Sequence, residues 1–115
     1  MEDGMNGTIE SIGPRRAREH LESNSDILLI CAYDDDEQFE QNHLKGAISL
    51  GAFRSRALTL SKEREIIFYC ACPQDETSTA RAEEYEARGF SNVKVLSGGV
   101  YAWKAAGYPV ILAEK

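Results

Sequence analysis

Short apolar runs alternate with amphipathic and polar stretches along this chain, and that rhythm predicts its elements. Ile27-Leu28-Leu29-Ile30-Cys31-Ala32 and Ile66-Ile67-Phe68-Tyr69 are continuous apolar runs of strand length. Such runs suit strands covered on both faces. Val93 to Leu96 is another strand, and Ile9 to Ile12 a short strand or extended entry. Between them lie helical patterns. Pro14 suits a first helical turn, and Ala17 and Leu21, four apart within Arg15 to Glu22, give one buried stripe. Ser23 to Asp26 is a turn cluster. The acid run Asp34-Asp35-Asp36-Glu37 caps a short helix through Phe39 and Gln41. His43 to Leu50 is a turn and then a short strand, and Gly51 to Leu60 has room for one helical turn. A longer helix begins near Ser78, with Ala80, Tyr85 and Ala87 inside, Glu83, Glu84, Glu86 and Arg88 outside, and Gly89 as C-cap. Ser97-Gly98-Gly99 is a tight turn into a short helix, Val100 to Ala106, ended by Gly107 and Pro109. Strands alternating with helices predict βα units, right-handed crossovers and a mainly parallel sheet.

Composition narrows the function classes. The chain has 115 residues, 43% apolar and 28% charged, enough for one domain with one core and no disulfides. The domain is expected over 9–110, with tails at 1–8 and 111–115. A net charge of -6 argues against nucleic acid or an anionic membrane as partner, because both need basic patches. No apolar run approaches the ~20 residues of a membrane span. Met1 to Thr8 is polar and lacks the apolar core of a signal peptide. Three cysteines form no visible disulfide framework, so the expected compartment is the cytoplasm.

The chemistry is concentrated in Ile66 to Phe90. A strand, a polar turn carrying Cys70 and Cys72, and a helix follow one another there. That order places the turn at the carboxyl end of a sheet strand, where open α/β sheets bind ligands. It also places the turn against a helix N-terminus, which favours an anion and lowers a thiol's pKa. Cys31 lies inside an apolar run and is expected to pack in the core. Trp103 and Phe90 are also expected as core residues. The acid run is expected to be a solvated helix start, not a metal site. A zinc site would need Cys31 and His43 to join Cys70 and Cys72. His43 is expected to be structural. Arg81 is expected on solvent, with leaning over the turn as the alternative. Arg54 and Arg56 are candidate positive charges for the site.

Four landmarks then identify a resemblance. His43-Leu44-Lys45-Gly46-Ala47-Ile48, the strand, turn and helix from Ile66, Arg88-Gly89-Phe90-Ser91-Asn92-Val93, and Leu96 to Trp103 followed by Ala106-Gly107-Tyr108-Pro109-Val110 occur in order. Together they resemble a single rhodanese domain from about Ile9 to Val110. The resemblance implies a three-layer α/β/α sandwich around a mainly parallel sheet. It also implies a sulfurtransferase, in which a cysteine takes sulfane sulfur from a donor, holds it as a persulfide and passes it to a thiophilic acceptor. The implied partners are a small-molecule sulfur donor, a thiol or cyanide-like acceptor and a possible protein acceptor; no metal or cofactor is implied.

Spacing back from the helix starts the active-site loop at Cys72 and ends it at Thr77. The loop residues are then Pro73, Gln74, Asp75, Glu76 and Thr77, with Ser78 opening the helix. Spacing forward from the strand selects Cys70 instead. Cys72 is favoured because a thiolate there depends on the loop curling onto the helix, while Cys70 also suits a buried strand end. If the strand alternation continued, the two would share a side, and Cys70 could resolve a persulfide on Cys72 as a disulfide.

The departures are specific. Family members commonly carry Asp-x-Arg where Cys31-Ala32-Tyr33 stands, and many have a basic residue in the loop, which here carries Asp75 and Glu76. Carboxylates there oppose thiolate formation and repel dianions such as thiosulfate. A non-catalytic binding or regulatory domain is therefore the alternative. A phosphatase needs Arg six residues after its Cys, and Ser78 or Glu76 stands there.

Overall fold

The computed structural model describes residues 9–24, 26–32, 42–44, 46–70, 76–108 and 110–112. Its elements are β1 (Glu10–Ile12), α1 (Pro14–Ser23), β2 (Leu28–Cys31), β3 (Asn42–Leu44), α2 (Leu50–Arg56), a 3-10 turn (Ala57–Thr59), β4 (Ile66–Tyr69), α3 (Glu76–Ala87), β5 (Val93–Leu96), α4 (Gly99–Ala105) and β6 (Val110–Leu112). The acidic stretch 34–37 and its predicted helix lie outside the described residues, as does Tyr33.

The main sheet is parallel, in the order β1-β5-β4-β2. Ile48 adds one parallel bridge beyond β2, with Cys31 N donating to Ile48 O at 3.0 Å and Ile48 N to Leu29 O at 2.9 Å. Both faces are covered, as the unbroken apolar runs require. On one face Ile30, Phe68 and Val95 pack with Leu50 and Phe53 of α2 and Ala82 and Tyr85 of α3. On the other, Leu29, Ile67, Tyr69 and Leu96 pack with Ala17 of α1 and Trp103 of α4. The result is the α/β/α sandwich. An aromatic cluster holds the first face: Phe53 meets Tyr85 edge-on at 4.9 Å, and Phe68 stacks on Tyr85 at 5.8 Å. Such pairs add ~0.5–1.5 kcal/mol each beyond their buried area. Trp103 and Phe90 are buried, as expected.

Three local expectations change. The stretch 42–50 does not run turn then strand: β3 comes first, paired antiparallel with β6, and a turn at Gly46 follows. Strand β6 supplies a partner nearly 70 residues away, which no local pattern shows, and it runs through Leu112. The segment from Gly51 holds two turns of helix and a 3-10 turn, because Ser49 caps α2 by accepting from Ala52 N at 3.1 Å. Helix α3 starts at Glu76, two residues before Ser78, and buries Ser78, Ala82 and Tyr85 while Ala80 and Ala87 are exposed. Positions 78, 82 and 85 follow the i, i+4, i+7 stripe of one helix face. Its far end closes as expected at Gly89, whose φ is +106°. Phe90 N donates to Tyr85 O and Gly89 N to Glu86 O, the paired bonds of a Schellman motif.

Candidate active site

Parallel strands bring β2, β4 and β5 to their carboxyl ends side by side. Ala32 N, just beyond β2, donates to Tyr69 O at 2.8 Å. Cys70 follows β4 and is fully buried. It continues the Ile66, Phe68 side of the strand, so its thiol lies under α3 and donates to Ser78 Oγ at 3.5 Å. Its carbonyl accepts from Val100 N at 3.0 Å. Gly99, at φ +53°, makes that junction: a Cβ there would lie 1.9 Å from Cys70 O. The glycine pair in the turn after β5 is thus needed for close approach to the β4 end as well as for its backbone angles.

The remaining predicted site residues divide in two. Cys72, Pro73, Gln74 and Asp75 lie outside the described residues. Glu76 and Thr77, assigned to the loop by sequence, belong to the first turn of α3, as does Ser78. The structure therefore brings Cys70 and Ser78 together beneath the helix and starts α3 six residues after Cys70.

The opposite side of β4 carries Tyr69. Its hydroxyl accepts from Leu44 N at 3.3 Å and ties β3 to the sheet. Burial, reinforced by the neighbouring Cys31 thiol, pushes the phenol well above its ordinary range, so Tyr69 stays neutral. Cys31 is buried in the core of that face, as the sequence indicates.

Arg81 is the residue that sequence reading assigned to solvent. It is half-buried instead: Nε donates to Ala32 O at 3.2 Å, and Nη1 pairs with Glu84 Oε1 at 3.2 Å. The 78, 82, 85 stripe was the available signal, because it turns position 81 toward the rim of the buried face. Arg54 lies by Glu84, Tyr85 and Arg88, toward the far half of α3, lining a recess of about 420 Å³. Arg56 is exposed. His43 is partly buried within β3. Among the described residues, no group of three or more His, Cys, Asp or Glu side chains is placed to hold a metal ion. No helix among them is long and apolar enough to cross a membrane.

Comparison with known proteins agrees with this architecture. None of the curated proteins compared with the chain matches it. Among solved structures it is similar to the Alr3790 protein of Anabaena sp., with TM-score 0.79 and 24% identity over 90% of this chain and 94% of that one. It is similar to a rhodanese-related protein of Thermoplasma volcanium, with TM-score 0.70 and 20% identity over 90% and 98%. It is also similar to a thiosulfate sulfurtransferase of Pseudomonas aeruginosa, with TM-score 0.77 and 19% identity over 93% of this chain and 21% of that one. These identities establish the shared fold. The family pattern of the rhodanese-like domain matches residues 14–106, from the first turn of α1 to the end of α4. With that match running from α1 to α4 and including the cysteine-bearing connection between β4 and α3, the chain belongs to the rhodanese-like domain family.

Proposed function

We propose that the protein is a sulfurtransferase that carries sulfane sulfur as a persulfide on Cys72. The observation that supports this most directly is the state of the other cysteine in the connection. Cys70 is fully buried, bonded to Ser78, and its carbonyl is held by α4. A reactive thiolate needs access and an electropositive surround, and Cys70 behaves as the small buried anchor of the strand end. Cys72 is the remaining cysteine between β4 and α3. In this reading Pro73, Gln74 and Asp75 form the loop, and Glu76, Thr77 and Ser78 form the helical turn against it.

The reaction has two displacements. The Cys72 thiolate attacks the outer sulfur of the donor. With thiosulfate, a new S–S bond forms, the thiosulfate S–S bond breaks, and sulfite leaves with the electron pair. The persulfide then yields its outer sulfur to an acceptor thiolate or cyanide, and the Cys72 thiolate returns. In this reading the α3 N-terminus and backbone N–H groups of the loop would stabilise both anions, and no metal is called for. The acceptor is a small thiophile or a thiol on another protein, and the compartment is the reducing cytoplasm. Cys72→Ser is expected to abolish sulfur uptake with the fold intact, read by intact mass after exposure to donor. Full uptake by that variant would overturn the assignment.

A second reading, a binding or regulatory domain on the same scaffold, is favoured by Asp75 and Glu76 and by the absence of Asp-x-Arg at Cys31-Ala32-Tyr33. Failure of every donor to load the wild-type chain would favour it.

A further inference from the structure

The carboxyl end of β2 holds a cation that the strand itself does not supply. Arg81 leaves α3 one turn after Ser78 and crosses to Ala32 O. The strand pairing through Ala32 N and Tyr69 O puts that carbonyl beside the end of β4, where Cys70 leads into the cysteine-bearing segment. Two acceptors, Ala32 O and Glu84 Oε1, fix the guanidinium from one flank. The side chain retains 27% exposure, so the planar fork is held in place and still meets solvent. A fixed guanidinium partly open to water suits two-pronged hydrogen bonding to a planar or tetrahedral oxyanion.

The sequence gives this placement its meaning. The strand end reads Cys31-Ala32-Tyr33, with no arginine, and Cys72 to Thr77 carries two carboxylates and no cation. The segment between β4 and α3 thus brings negative charge and no cation of its own, and an anionic donor needs a positive charge from elsewhere to offset it.

We propose that Arg81 determines which sulfur donors the protein accepts, by binding the anionic group of the donor at the carboxyl end of β2. The inference rests on the sulfurtransferase reading and names a specificity-determining residue for it. Glu84 tempers the same charge. Donors with a sulfonate or sulfonate-like end are therefore admitted through Arg81, and uncharged donors do not depend on it.

The test is steady-state kinetics of the full chain with thiosulfate and with an uncharged organic trisulfide, together with calorimetric binding of thiosulfate. Losing a charge-assisted hydrogen bond corresponds to about tenfold in affinity. Arg81→Gln is expected to raise the KM for thiosulfate about tenfold with kcat nearly unchanged, and to leave the trisulfide KM unchanged. Arg81→Lys is expected to restore part of the loss. Glu84→Gln keeps an oxygen that can accept from Arg81, removes the negative charge that Arg81 shares with Arg88, and is expected to lower the thiosulfate KM, which keeps the test decisive if Arg81→Gln folds poorly. Thiosulfate KM and affinity unchanged in Arg81→Gln, or equal losses with both donors, would overturn the inference. So would a thiosulfate KM that does not move in Glu84→Gln. Arg81-dependent thiosulfate binding without any sulfur loading would overturn the sulfurtransferase reading alone. A wild-type chain that neither binds nor loads thiosulfate would overturn the inference as well.

Discussion

At the amino end of the sheet, charges meet charges. Glu65 Oε2 lies 3.0 Å from both His20 Nδ1 and Lys94 Nζ, and Lys94 also reaches Asn92. Lys94 and Glu65 have side chains only 10% and 14% exposed. Among the described residues at the carboxyl end, a thiol meets a hydroxyl, backbone meets backbone, and Arg81 meets a carbonyl and the Glu84 carboxylate. The first end satisfies its charges within the protein. Among the described residues, the second holds strand ends with neutral groups, and Arg81, paired with Glu84, stays partly open to water. The larger packing penalty is expected at the carboxyl end, where Gly99 meets the Cys70 carbonyl, and the larger charge penalty at the amino end.

The sharpest way to break the carboxyl end is Gly99→Ala. The added Cβ would fall 1.9 Å from a backbone oxygen at positive φ, so β4 and α4 must separate. A loss of about 4 kcal/mol is expected from urea unfolding. A near-neutral result would show that the junction yields easily. At the amino end, Glu65→Ala strands Lys94 beside Asn92, and the expected cost is about 3 kcal/mol. The double change Glu65→Leu with Lys94→Met should recover most of that loss, because the penalty comes from an unpaired charge rather than from lost attraction. A double variant as unstable as the single one would contradict this.

The pH dependence separates the two ends further. Burial raises the Glu65 carboxyl, but the hydrogen bonds and charges of His20 and Lys94 outweigh it and hold the group below its ordinary value of 4.5. A group depressed in the folded state contributes stability that is full above the unfolded value and is lost as pH falls through the folded one. Unfolding midpoints should therefore drop below pH 4.5 in the wild type and drop less steeply in Glu65→Gln. Equal acid limbs would remove Glu65 from the account. The smallest effect is expected from Cys70→Ser. A hydroxyl beside Ser78 keeps a partner, so the cost should be about 1 kcal/mol, with sulfur loading preserved. Loss of loading in a folded Cys70→Ser would move the nucleophile to the strand end.

The parts of this comparison were unevenly legible in the sequence. Strands β2 and β4 were plain because each lies in an unbroken apolar run, and β5 because three of its four residues are apolar between polar punctuation. The Gly98-Gly99 turn and the burial of Trp103 were legible in the same way. The β3–β6 pair was not, since three-residue strands have no period of their own and find each other only in three dimensions. The start of α3 was misplaced because polar Glu76 and Thr77 suit a loop as well as a first helical turn. Lys94 is a polar residue within a strand, and nothing in its neighbours along the chain marks it as buried. Its burial depends on His20 and Glu65, which arrive from elements 74 and 29 positions earlier in the chain. Arg81 was hidden for a related reason. Its partner is a backbone carbonyl, and a carbonyl carries no side-chain signature.

The most direct test of the central claim is intact mass after incubation with thiosulfate, for wild type, Cys72→Ser and Cys70→Ser. The account predicts a gain of one sulfur in the wild type and in Cys70→Ser, and none in Cys72→Ser. A gain that survives in Cys72→Ser and disappears in a folded Cys70→Ser would contradict it.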